Sequence, residues 1–155
     1  LDLDSNSALI EEVQSDWIRN VARLEERVLR KLAAGQPESA PANVYGLPCS
    51  LATARTYAAH VRERYAPIWS EAMLWASLQF IRDELGLEAV YYHSEQGGQL
   101  FKGINGTPPP RSLYTDLPRR FCFTPTREIP PFLSEDKEVR QVLRRNPEIG
   151  FFRLL

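Results

Sequence analysis

The chain has 155 residues, 43% apolar and 25% charged, with a net charge of −1. That length can bury roughly two-thirds of the unfolded surface, enough for a core without metal or disulfide, and the near-zero charge gives no bulk attraction to nucleic acid. No run approaches the ~20 apolar residues of a membrane span and no secretory leader is visible, so the expectation is a cytoplasmic protein with no membrane association. Cys49 and Cys122 are far apart in sequence and read as free thiols. Two histidines without a Cys-x-x-Cys pair argue against zinc.

Apolar residues at Leu9, Ile10, Val13, Trp17, Val21, Leu24, Val28 and Leu32 recur at helical spacing, and Gly35 and Pro37 end the pattern. Trp17 lies in this stripe and is expected to be buried. The proline- and glycine-rich stretch from Gly35 to Pro48 reads as a flexible loop near 35–49. Ser50 is placed to cap a helix running to about Tyr65, with Leu51, Ala54, Ala58 and Val61 as its apolar stripe. A third helix is predicted from Trp69 to Leu85, with Met73, Leu74, Leu78, Phe80, Ile81 and Leu85 inward and Gly86 as its C-terminal glycine.

Leu87 to Ser94 is β-branched and aromatic and reads as an interior strand, with the third helix packed across it. Glu95 to Arg111 reads as a loop. A short helix is predicted over Ser112 to Asp116, halted by Pro118, and a short strand over Phe121 to Phe123. Ser134 is the predicted cap of a helix to Arg145, and GFFRLL reads as a last strand. This order of elements predicts one α/β (α+β) domain over residues 1–155.

Glu12 and Asp16 are four residues apart. On a helix they share a face about 6 Å apart, a spacing suited to paired-carboxylate chemistry. On a strand they lie roughly 13 Å apart and cannot act together on one bond. The plainer reading is a solvated helix face. On a strand Tyr91 and His93 point to one face, Tyr92 and Ser94 to the other. His93 at the carboxyl end suits a general base, although a lone histidine is more often structural. Gly97, Gly98, Gly103 and Gly106 with Lys102 form either an anion cradle or, more simply, a cluster of turns. Arg111, Arg119, Arg120 and Arg127 meet either an acidic partner or nearby Asp116 and Glu128. No Gly-x-Ser-x-Gly elbow is present.

The segment EEVQSDW, Glu11 to Trp17, resembles the EEIQSDW motif of an uncharacterised domain of phage and mobile-element polyproteins and of some bacterial proteins. WSEAMLWASLQFIRDELGLEAVYYHS, SLYTDLPRRF and FFRLL are similar to its later segments, so the likeness spans most of the chain. The order strand, helix, strand, then LYTDLPRRFCF is also similar to the N-acetyltransferase (GNAT) superfamily. The resemblance implies a GNAT-like central sheet flanked by helices, a strand near Leu9 to Gln14, and a helix from about Ser15 capped by Ser15 or Asp16.

One departure bears on the cofactor. GNAT enzymes seat the coenzyme A pyrophosphate on a glycine-rich turn at a helix N-terminus. RYAPIWSEAM, the corresponding stretch, has no glycine, and Pro67 removes a further donor. Acetyl-CoA or another acyl-CoA is therefore disfavoured. The resemblance then implies a binding or accessory module in bacterial or phage and mobile-element biology. Two alternatives stay open. One is a divergent acyltransferase or other transferase, with Glu12 or Asp16 as base or electrostatic element, His93 or Tyr114 as acid, and Gln14, Tyr91 and Arg111 at the substrate. The other is an immunity-type protein that binds a protein partner through exposed Trp69, Tyr91 and Tyr92.

Overall fold

The computed structural model describes residues 1–102 and 109–155 and divides them into two compact units. One is built from residues 1–13 and 71–155, the other from residues 14–70. The fold class is mixed α/β, as expected, with a mixed sheet flanked by helices. Among the described residues no helix is long and apolar enough to cross a membrane.

The first unit holds a four-stranded sheet in the order β1-β4-β6-β5. Its strands are β1 (Ser7–Ile10), β4 (Ala89–His93), β5 (Thr124–Thr126) and β6 (Phe151–Leu154). β4 is an interior strand, as its β-rich composition predicts. It pairs in parallel with β1 and antiparallel with β6. β5 closes the other side of β6, and Gly150 permits that approach, because a Cβ there would stand 2.9 Å from the Thr126 carbonyl oxygen.

The helix preceding β4 is predicted correctly in place and less well in facing. α3 runs Trp69–Gln79 and passes into a π-helical turn, Phe80–Glu84. Gly86 then adopts φ +65°, and Leu87 N–H returns to the Ile81 carbonyl at 3.0 Å, the closure a C-terminal glycine makes possible. Leu74, Leu78 and Ile81 are buried, whereas Met73 and Phe80, predicted inward, are 49% and 53% exposed. The helix is apolar on both sides, so spacing cannot tell which side faces the core.

Later elements shift from their predicted places. Glu95–Lys102, read as loop, is a helix, α4; residues 103–108, with the rest of the glycine set, lie outside the described residues. α5 runs Ser112–Arg120 and carries Pro118 inside it rather than stopping before it. Leu117 and Pro118 are buried there, and that burial offsets the hydrogen bond that proline cannot make. The residues predicted as a strand, Phe121 to Phe123, form the exit of α5, with Cys122 at φ +62°; β5 starts at Thr124. Ser134 ends a short helix, α6 (Pro131–Ser134). The cap of α7 (Lys137–Arg145) is Asp136, which accepts from Glu138 N–H at 2.7 Å and Val139 N–H at 3.1 Å.

The second unit is a helix pair with a hairpin between. The continuous helical spacing from Leu9 is overruled, because β1 ends at Ile10 and α1 (Asp16–Ala33) begins only at Asp16. Ser15 caps α1 by accepting from Ile18 N–H at 3.3 Å. Val21, Leu24 and Val28 face Leu51, Ala54, Ala58 and Val61 of α2 (Leu51–Arg64), whose cap is Ser50 as predicted. Trp17 is not in this core. It is 39% exposed, donates to the Tyr57 hydroxyl at 2.8 Å and packs its ring 5.1 Å from that of Tyr65.

The stretch read as a loop contains β2 (Pro41–Val44) and β3 (Leu47–Ser50), an antiparallel hairpin. Tyr45 and Gly46 make its two-residue turn at φ +51° and +86°, the primed-turn geometry that fits strand twist. The turn signal is Gly46. It is masked in the sequence by Pro41 and Pro48, which sit in the strands.

Because Ser15 satisfies a first-turn amide while Asp16 is exposed and paired with Arg19, the two residues separate in a stability assay. Ser15→Ala should cost about 1 kcal/mol, read as a lower urea midpoint at unchanged slope, and Asp16→Ala a smaller amount. Equal losses would show that Ser15 is not the working cap.

Candidate functional site

The polar residues of β4 and the groups around them form the candidate site, all of it in the first unit. Tyr92 is fully buried and donates its hydroxyl to the Leu113 carbonyl of α5 at 2.8 Å. Its ring meets Tyr114 edge-on at 6.3 Å and Phe123 at 5.9 Å. Tyr91 points to the other face and donates to Glu128 at 2.8 Å. Arg153, its register partner on β6, forms an ion pair with the same carboxylate and lies 5.6 Å over the Tyr91 ring.

His93 closes β4 and is buried, with its ring between Phe101 and Phe151 at centroid distances of 5.4 and 5.5 Å. Gly97 and Gly98 of α4 pass directly over this region. A Cβ on Gly97 would stand 3.3 Å from His93 Nδ1, and one on Gly98 would stand 2.9 Å from Tyr114 Cε1. The glycine pair is therefore a packing device that lets a helix approach two aromatic side chains. Tyr114 is buried, and among the described residues its hydroxyl has no hydrogen-bond partner.

Glu12 is half-buried, and its charge reaches both phenols. Burial pushes the Tyr92 hydroxyl far above the ordinary tyrosine range, and Tyr114 and Glu12 add to it. Burial raises Tyr114 in the same way, with Glu12 again adding. Tyr91 is raised first by burial, then by its hydrogen bond to Glu128, while Arg153 works in the opposite direction. Both faces of β4 thus hold protonated phenols at neutral pH.

Of the candidate catalytic and substrate residues, Glu12, Tyr91, His93, Arg111 and Tyr114 lie in this unit; Gln14 and Asp16 belong to the other. Arg111 is exposed and paired with Glu95 at 3.0 Å. Gln14 and Asp16 are exposed. The expectation of exposed Tyr91 and Tyr92 is overturned, since both are almost wholly buried, and Trp69 is half-buried. Sequence reasoning missed Glu128 and Arg153 as the polar partners of Tyr91; the odd spacing of Tyr91 and Tyr92 on a buried strand is the signal, because each phenol then needs its own partner. Comparison with protein-family models, curated proteins and solved structures finds no match to the chain.

These raised phenol values fix a pH dependence. In the unfolded chain tyrosine ionises near pH 10, and in the fold Tyr92 and Tyr114 hold their protons beyond that. The native state therefore binds more protons above about pH 10, so their contribution is complete below that pH and is lost as pH rises further. Urea midpoints should hold level to about pH 9 and fall steeply above 10, and Tyr92→Phe should flatten that fall while costing about 1 kcal/mol at neutral pH. An identical alkaline fall in Tyr92→Phe would remove Tyr92 from this account.

Proposed function

We propose that this chain is a non-catalytic module that binds a protein partner through the outer face of α3. The carrying observation is the arc formed by Ala72, Met73, Trp75, Ala76 and Phe80. These residues recur at helical spacing, and Met73, Trp75 and Phe80 are 49%, 59% and 53% exposed. A helix apolar all round is normally covered all round, and large exposed apolar patches mark interaction sites. By contrast the candidate base His93 is enclosed by aromatic rings. The likeness of EEVQSDW to domains of phage, mobile-element and bacterial proteins supports a role as an accessory module in that biology, on a GNAT-like scaffold turned to binding.

The acyltransferase alternative has one observation in its favour. Glu12 lies within electrostatic reach of Tyr114, whose buried hydroxyl has no partner among the described residues. That is a base-and-acid pair of the kind proton transfer uses.

Photo-crosslinking separates the two. With a benzoylphenylalanine in place of Trp75, the chain expressed in a bacterium should give one discrete adduct. The adduct should be lost in the Met73→Glu/Phe80→Glu variant and kept in Glu12→Gln and Tyr114→Phe. Calorimetry with acetyl-CoA should give no micromolar binding. The enzyme reading takes over on the opposite pattern: no adduct, with thermal stabilisation by an acyl-CoA that Tyr114→Phe abolishes.

A further inference from the structure

The second unit carries a feature of different chemistry. A groove of about 730 Å³ runs beside α1 and β2, lined by residues of this unit alone. Its floor is apolar, with Leu24, Val28 and Leu51 below and Val44 at the side. Along one wall stand Arg23, Arg27 and Lys31, each a helical turn after the last. All three are exposed, and among the described residues no carboxylate pairs with any of them. Neighbouring charges are neutralised differently: Arg19 pairs with Asp16, and Glu25 with Arg62. One acid, Glu26, stands on the rim.

The opposite wall is β2; Ala42, Asn43 and Val44 line the groove with Tyr45 of the turn, and no residue of β3 lines it. The register Val44↔Leu47 beside a two-residue turn makes that pair and Ala42↔Cys49 the hydrogen-bonded ones. The amide and carbonyl of Asn43 then point away from β3, along the groove side. On β3 the corresponding position is Pro48, which has no N–H to offer. Pro41, the other outward residue of β2, likewise has no N–H, so the outward donor of that edge is the Asn43 amide alone.

We propose that this groove binds an extended acidic peptide segment of a partner protein. The segment adds beside β2 through Asn43, places an apolar side chain on the Leu24–Val28–Leu51 floor, and sets its carboxylates against Arg23, Arg27 and Lys31. Strand addition supplies the backbone bonds, and the floor and the cationic row supply selectivity. The spacing fits: successive cations on α1 rise about 6 Å apart, close to the roughly 7 Å between same-face side chains of a strand. A single-stranded nucleic acid is the poorer occupant, because it seeks aromatic platforms and the groove offers aliphatic residues with Tyr45 alone at its end. This site is separate from the α3 face and stands or falls without it.

Selection from a displayed library of random peptides on the intact chain tests the proposal. Enriched peptides should carry two or more Asp or Glu flanking an aliphatic residue. A fluorescein-labelled enriched peptide, followed by anisotropy, should lose roughly ten-fold or more in affinity with Arg23→Glu/Arg27→Glu, and should weaken as salt rises. Those substitutions lie on an exposed helix face and leave the core intact. Asn43→Pro should weaken binding similarly, with circular dichroism checking that the hairpin unit is still folded. Failure to enrich acidic peptides, or an affinity unchanged by the charge reversal, overturns the proposal. So does displacement of the peptide by oligothymidylate at equal concentration, which would identify a phosphate-backbone site instead.

Discussion

Two adjacent tyrosines in a strand buried on both faces are the constraint on which the first unit depends. β4 is flanked by β1 and β6, so neither face nor edge of Tyr91 and Tyr92 meets water. A buried phenol without a partner costs on the order of 1–3 kcal/mol, so each hydroxyl dictates what stands above it. Tyr92 requires a carbonyl, and α5 supplies that of Leu113. Tyr91 requires an acceptor, and Glu128 supplies one that Arg153 holds in place. Two hydroxyl groups thus tie β4 to α5, to the chain after β5 and, through Arg153, to the last strand. The glycine pair of α4 belongs to the same solution, since a Cβ at either position would crowd His93 or Tyr114.

The second unit answers to a simpler rule. Small and branched residues of α1 and α2 let the helices close on each other, and the hairpin covers one end of that seam through Ala42, Val44 and Cys49. Its polar surface is uneven. Residues 14–70 carry eight arginines and lysines against five acids, whereas the first unit has an excess of acids. The net charge of −1 is thus a sum of opposing parts, and a bulk figure conceals the local field that a partner would meet.

The elements legible in sequence are those with a single, local cause. Ser50 and Gly86 mark helix ends because a hydroxyl and a left-handed glycine each solve one terminus. β4 and β6 were readable from β-branched and aromatic runs. What escaped depended on distant partners. Pro118 sits within α5 because its ring is buried, a tertiary fact that overrides a local prohibition. Gly97 and Gly98 read as turn residues until Tyr114 is seen against them. Asp136, two residues beyond Ser134, takes the cap of α7 because Ser134 is the last residue of α6 and α7 begins only at Lys137. Of the candidate site, His93 and Tyr91 were correctly placed on one strand face, but their burial is set by Phe101, Phe151 and the Glu128–Arg153 pair.

The outer arc of α3 also limits what kind of binding it can support. Full burial of a large apolar side chain is worth roughly 1.5–3 kcal/mol. Met73, Trp75 and Phe80 are each already about half covered, so closing a partner over them gains roughly half of that apiece. The sum is a few kcal/mol, less than the roughly 4–15 kcal/mol lost when two free molecules associate. The face alone therefore supports neither a tight nor an obligate complex between free partners. It becomes effective where association is aided, either by further contacts on the same partner or by a tether that raises the effective concentration. On the proposed reading, a helix kept apolar on its open side serves as the recognition element of a weak, assisted contact.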